Sequence, residues 1–193
     1  MIYTEDIMKL ILALGNIGKA YEHTRHNIGF AAVEHIAHDL NVEWQEKNKF
    51  KALTTEVSIA DNTVILAKPT TLYNQIGTSY RALVDFYKLD SRDILIIHDE
   101  LALPFGTVRL REGGSDAGNN GIKSILQYGG GDEPRIRIGI SNDQRTVITD
   151  AKFVLSKFSH NELERLPIIL QTASTVCQQF VRGEFEPTSI MHN

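Results

Sequence analysis

Lys9-Leu10-Ile11-Leu12-Ala13-Leu14-Gly15-Asn16-Ile17-Gly18 opens the stretch that decides the fold, which runs on through Tyr21 and Thr24-Arg25-His26-Asn27 to Leu40. The apolar run Leu10–Leu14 predicts a buried strand, and the two glycines after it predict a turn. Phe30, Val33, Ile36, Ala37 and Leu40 recur at helical spacing, which predicts a helix that begins after His26 with Asn27 as its N-cap. In α/β sheets, ligands bind in the crevice beyond the carboxyl ends of the strands. Asn16 and His26 fall at such an end. A positive helix end beside His26 favours the neutral imidazole, the form that accepts a proton.

Working outward, alternation in Ala52–Ala60 and the β-rich Thr63–Ala67, joined through Asp61-Asn62, predict a hairpin or two sequential strands. Pro69 holds Lys68 extended, and Thr70 or Thr71 can cap a helix bearing Leu72, Ile76, Leu83, Val84 and Tyr87. Asn74 falls in its first turn. Gly77 inside this helix costs roughly 1 kcal/mol relative to alanine, so a close backbone approach is expected there. Asp93–Ile97 predicts another buried strand that delivers His98-Asp99-Glu100 at its end. Thr107–Arg111 has period two, placing Arg109 and Arg111 on one face, and Arg135–Ile140 is a further strand with paired cations. Between them lies a glycine-rich loop, Gly113–Gly118, expected to be mobile, and a helix opened by Asn119-Asn120. The tail from Asn161 to Val181 is helical, with Gly183 as its C-cap. The order predicts an α/β fold: a single domain with a twisted, mixed and largely parallel sheet and helices on both faces.

The chain has 193 residues, 42% hydrophobic and 23% charged, which fits one globular domain over residues 1–193. Residues 1–7 read as an N-terminal extension ahead of Met8. No apolar run approaches a bilayer span, no cationic leader is evident, and the one cysteine, Cys177, rules out a disulfide framework; a cytoplasmic protein without a membrane partner is expected. The net charge of −4 argues against coating nucleic acid non-specifically but leaves room for a local basic patch.

The chemistry-bearing residues converge on strand ends and helix starts: Asn16, His26, Asn74, Asp99 and Asn120. There is no nucleophile elbow, and Cys177 lies on an apolar helical face, where a buried structural thiol is expected. Gly15–Gly18 lacks the third glycine of a dinucleotide fingerprint and no phosphate-binding loop is present, so no nucleotide cofactor is expected. His35 and His38 lie three apart on a helix without a third ligand, so no metal is expected and both read as solvated. The remaining set can hydrolyse with water as nucleophile: His26 as general base, Asp99 fixing its tautomer, and asparagine amides donating to an oxyanion. An ester needs no metal for this.

The strings ALGNIGKAYEHTRHNIGF, AKPTTLYNQIG, IIHDELALPFGTVRLREGG, GNNGIKSI and RIRIGI, in this order and spacing, resemble the successive signatures of bacterial-type peptidyl-tRNA hydrolases. The resemblance covers nearly the whole chain from Met8. It implies an esterase, without cofactor and monomeric, that frees tRNA from prematurely released peptidyl-tRNA. It also implies His26 as the catalytic histidine and Asp99 as its support. Asn16, Asn74 and Asn120 would handle peptide, water and oxyanion, with Tyr21 and Tyr73 beside the substrate. Arg109 and Arg111, with Arg135 and Arg137 behind them, would face the tRNA acceptor stem. The chain departs from the pattern at Ile17 (proline), Tyr73 (methionine), Ile76 (serine) and Asn119 (histidine). Two other classes of reading remain at this point: an RNA-binding protein on the same fold whose catalysis has decayed, and a general small-ester hydrolase or a metal-dependent enzyme using His98-Asp99-Glu100.

Overall fold

The computed structural model describes residues 8–184 and 186–192, so the expected extension at residues 1–7 lies outside the described part. The decisive stretch forms β1 (Lys9–Ala13), whose five residues are all buried, and α1 (Ile28–Asp39), separated by two single-turn 3-10 helices. β1 runs parallel to both of its neighbours: Ile11 pairs with Leu66 on one side and with Leu95 on the other. A strand with a partner on each side and a helix over each face has no solvated surface, so its sequence is continuously apolar instead of alternating.

Around β1 lie β2 (Gln45–Lys47), β3 (Ala52–Ile59), β4 (Asn62–Pro69), β5 (Ile94–Pro104), β6 (Thr107–Arg111), β7 (Arg135–Ser141) and β8 (Thr188–Met191), in one eight-stranded sheet of order β2-β3-β4-β1-β5-β7-β6-β8. The four central strands β4, β1, β5 and β7 are parallel, while β2, β3, β6 and β8 add antiparallel flanks. The α/β fold with helices on both faces is therefore observed. Of the two options for residues 52–67, the structure takes the hairpin. Ala60 and Asp61 both have positive φ, 50° and 61°, the backbone of a two-residue turn matched to strand twist.

One face is covered by α1 and by α5 (His160–Val181), with Ile28, Val33, Ile36, Ile169, Ala173, Val176 and the fully buried Cys177 in its core. The other is covered by α2 (Ile76–Tyr87) and α3 (Asn120–Gln127), which pack on Leu10, Leu12, Leu14, Ile65, Ala67, Ile94 and Ile96. That second core takes nothing from β6 or β7. Arg109 and Arg137 pair across those strands, as do Arg111 and Arg135, and they stand on the face that α2 and α3 leave open.

Gly77 shows why the sequence tolerates glycine in α2. A Cβ there would lie 2.3 Å from the Ser124 carbonyl oxygen, and the Gly77 N–H donates to Ser124 Oγ at 2.9 Å, so α2 and α3 touch backbone to backbone. Gly183, with φ 76°, follows α5 as expected.

Several boundaries differ from expectation. α2 is not capped by Thr70 or Thr71; the Thr70 N–H donates to the Lys51 carbonyl at 2.7 Å and Leu72 stays extended, so a 3-10 turn, Tyr73–Gln75, intervenes before the helix. β5 does not stop at Ile97 but continues to Pro104, with a shift of register between Glu100 and Pro104. β2, β8 and the short helix α4 (Asp150–Val154) have too little periodicity to be read from sequence.

Candidate active site

Three segments at the carboxyl-end side of the central strands build the site: the 3-10 turn Arg25–Asn27, the Asp99 region within β5, and the loop entering α3. The turn is held from beneath by Arg25, which is fully buried. Its guanidinium makes a two-pronged pair with Glu162, both bonds 2.7 Å, donates to the Ile140 carbonyl at 3.2 Å and to Ser156 Oγ at 3.2 Å, and stacks over Phe153 and Phe158. Glu162 is also the third residue of a capping box on α5, so the turn is tied to that helix's amino end. Burial works against the ionised carboxylate, but the hydrogen bonds from Arg25 and Ser159 outweigh it and hold Glu162 below the usual carboxylate range.

Asn27 does not cap α1 with its side chain. It accepts from the Asn16 N–H at 2.8 Å and donates to the Asn16 carbonyl at 2.8 Å. The reciprocal pair welds the Gly15–Gly18 turn to the helix start, and with Ile17 in place of proline it is the clamp that fixes the Asn16 backbone.

His26 Nδ1 lies 2.9 Å from Asp99 Oδ2. A carboxylate only accepts, so Nδ1 is the donor in this contact, and in the neutral imidazole the lone pair is then on Nε2. The imidazole retains 15% exposure while Asp99 keeps 3%. Asp99 Oδ1 receives two more donors, the Tyr73 hydroxyl at 3.0 Å and Asn119 Nδ2 at 3.3 Å. The Tyr73 ring stacks on the imidazole with centroids 3.8 Å apart. Burial, with the charge of Asp99, raises the Tyr73 phenol well above its ordinary value, so it stays a donor. His98, its own pKa lowered by burial, donates through Nδ1 to the Asp99 carbonyl at 2.7 Å.

In front of this group is a cleft of about 200 Å³ lined by His26, Asp99, Leu101, Asn120, Asp150 and Val154, among others. A second cavity of about 430 Å³ lies on the other side of the histidine turn, lined by Asn16, Ile17, Asn27, Phe30 and Lys68. The arrangement is an oriented base at the wall of a cleft with amides nearby, able to activate water.

The family model for peptidyl-tRNA hydrolase matches residues 10–193. The chain belongs to the peptidyl-tRNA hydrolase family. It is 42% identical over 187 residues to the peptidyl-tRNA hydrolase of Gloeobacter violaceus, covering 96% of this chain and 94% of that protein. The Clostridium perfringens peptidyl-tRNA hydrolase is 39% identical over 178 residues, 92% of this chain and 93% of that one. The crystal structure of peptidyl-tRNA hydrolase from Acinetobacter baumannii superposes with a TM-score of 0.83 at 32% identity, covering 93% of this chain and 91% of that chain.

Against that family background, the residues singled out from sequence fall into three places. His26, Asp99 and Asn120 share one cleft. Asn16 borders the adjoining cavity, while Asn74 and Tyr21 are exposed near the same end of the sheet. Tyr73 is buried and directs its hydroxyl at Asp99, so it touches the His26–Asp99 pair instead of forming an open pocket wall.

Arg109 donates to Ser189 Oγ at 3.2 Å, and Arg111 donates to the Leu110 and Thr188 carbonyls, which leaves both half-exposed on the open face. Arg135 departs from the expectation of a surface cation. It is 1% exposed and donates to the carbonyls of Ser115, Gly114 and Gly131, so it holds the glycine-rich loop in place. His35 bonds Gln171 and His38 is exposed. Arg25, Asn27 and Glu162 escaped the sequence reading. Their one signal was an arginine and an asparagine flanking His26, and Glu162 lies 137 residues from its partner.

Proposed function

We propose that this chain hydrolyses the ester linking a peptide, or an N-blocked aminoacyl group, to the 3′ end of tRNA, and so returns tRNA from prematurely released peptidyl-tRNA. The observation that carries this reading is the 2.9 Å contact between His26 Nδ1 and Asp99 at the wall of the cleft in a chain of this family. Nε2 takes a proton from water as the water oxygen attacks the ester carbonyl carbon. Asp99 stabilises the imidazolium that forms. The tetrahedral intermediate collapses with cleavage of the bond to the terminal ribose oxygen, and Nε2 returns its proton to that oxygen. The products are a peptide carboxylic acid, which ionises, and tRNA with a free hydroxyl.

In this reading Asn120 and Asn16 donate to the developing oxyanion and position water, while Asn74 and Tyr21 meet the peptide. Developing negative charge next to fixed amide donors is stabilised most when water is excluded. An ester is reactive enough for this route to need neither metal nor cofactor. Arg109 and Arg111 would receive acceptor-stem phosphates, with Arg137, which also pairs with Glu100 at 3.8 Å, beside them, because that half of the sheet face carries these arginines and is uncovered by α2 and α3. Arg135 supports this surface from below. The substrate implies the cytoplasm as the working compartment, and the family resemblance implies a monomer. Among the described residues no helix is long and apolar enough to cross a membrane.

The test is release of a labelled N-acetyl-aminoacyl group from tRNA, with free aminoacyl-tRNA as competitor, in the presence of chelator. Wild type should cleave the blocked ester, and His26→Ala should lose about 10²–10⁴ in kcat while binding tRNA nearly as well. Equal inactivity of both proteins, with tRNA binding retained, would instead assign the chain to RNA binding.

A further inference from the structure

Asp99 is contacted on both carboxylate oxygens, and the partners divide cleanly. Oδ2 faces His26 Nδ1. Oδ1 takes Tyr73 and Asn119. These two donors are linked, since Asn119 Nδ2 also donates to the Tyr73 hydroxyl at 3.0 Å. The orientation of the Asn119 amide is set at its other end, where Oδ1 accepts the N–H groups of Gly121 and Ile122 at 3.0 and 3.1 Å as the N-cap of α3. The Tyr73 ring is fixed as well: a Cβ on Gly121 would come within 2.7 Å of it, so the glycine leaves the space the ring fills.

We propose that Tyr73 and Asn119 form a positioning pair for the catalytic dyad, in which the amino end of α3 orients Asn119, Asn119 and Tyr73 hold Asp99, and the Tyr73 ring forms a platform that keeps His26 Nε2 aimed into the cleft. The inference rests on the esterase reading above. Physically, two donors on Oδ1 draw charge away from the oxygen that faces the imidazole, so they moderate the stabilisation of the imidazolium as well as fixing its geometry. Removing either donor concentrates negative charge on Asp99 and makes His26 easier to protonate. Other titratable groups near the dyad are Glu100 on β5 and Asp150 on α4, which line the same cleft, and His98, whose Nδ1 donates to the Asp99 carbonyl; the guanidinium of Arg25, next to His26 in the chain, is paired with Glu162. Neither substitution below alters any of these groups.

The experiment compares wild type with Tyr73→Phe, which keeps the ring and removes the hydroxyl, and Asn119→Ser, which keeps a good helix cap and removes the amide donor. His26 is titrated by nitrogen-resolved NMR in the free proteins, and pH profiles of kcat/KM are measured on N-acetyl-aminoacyl-tRNA. The proposal expects the His26 midpoint and the acidic limb of the profile to move up together by about half a unit in each variant. It also expects kcat to fall about threefold to tenfold with KM within about twofold, a part of the roughly 10²–10⁴ that a positioned base supplies. A fall in activity with unmoved His26 titration would mean the pair is only structural and would overturn the proposal. An inactive wild type would overturn the esterase reading, while the NMR arm would still decide whether the pair acts on His26.

Discussion

Asp99 accepts from His26, Tyr73 and Asn119 at once, which an isosteric amide cannot do. An asparagine at this position would have one acceptor oxygen for three donors and an NH2 group that must face one of them. If that NH2 faces His26, the imidazole flips to the tautomer whose Nε2 bears the proton and cannot act as base. Asp99→Asn should therefore reduce kcat by about 10⁴ with a smaller change in KM, as wrong-tautomer variants of oriented histidines do. Single-turnover hydrolysis checks this, and a loss below about tenfold would remove Asp99 from its assigned role. At this scale the sequence revealed the identities of His26 and Asp99 because motifs are local. It did not reveal that Tyr73 belongs with Asp99, since a tyrosine reads equally as a pocket wall and as a buried donor.

The element that carries His26 is a single 3-10 turn, too short to be stable by itself. What fixes it is the Arg25–Glu162 pair, buried against Phe153 and Phe158 and joined to the first turn of α5. Removing one partner of a buried pair leaves an uncompensated charge, costing about 3–5 kcal/mol. Glu162→Gln should thus lower Tm by on the order of 10 °C for a chain of this size. Because the folded-state carboxyl is held below its usual range, its contribution is complete above the unfolded value of about 4.3 and is lost as the pH falls through the lower folded value. Thermal melts should show the gap between wild type and Glu162→Gln narrowing as pH drops from 5 to 3. A constant gap would mean that ionisation of Glu162 is not what the turn relies on. α1 and α5 were readable from their apolar stripes, yet the bond between the turn and α5 was invisible, because nothing in residues 25 and 162 encodes their distance.

Across the whole molecule, the helices divide the sheet into a covered half, where α2 and α3 sit, and an open half that displays Arg109 and Arg111 of β6 with Arg137 of β7 partly exposed beside them. The site lies where these halves meet, at the carboxyl-end side of β1, β4 and β5. A phosphate surface beside a hydrolytic cleft should bind tRNA with a marked salt dependence. Arg109→Ala together with Arg111→Ala should weaken tRNA binding and reduce the slope of log K against log salt by about two, leaving kcat at saturation nearly unchanged. Filter binding or fluorescence titration across a salt series measures this. An unchanged slope would move the RNA surface elsewhere on the molecule.

The amino-acid sequence by itself determined the α/β class, the buried parallel strands, most helices, the close approach at Gly77 and the five polar residues at strand ends and helix starts. These are properties of local periodicity, turn chemistry and short motifs, which neighbouring residues carry among themselves. Only the tertiary structure decided that Asn27 clamps Asn16, that Arg25 anchors the histidine turn, that Tyr73 and Asn119 share Asp99, and that Arg135 is spent inside the protein while Arg109 and Arg111 face outward. Each of these is a contact of a side chain with another side chain or with backbone that the folded chain brings beside it, and its partner is chosen by packing.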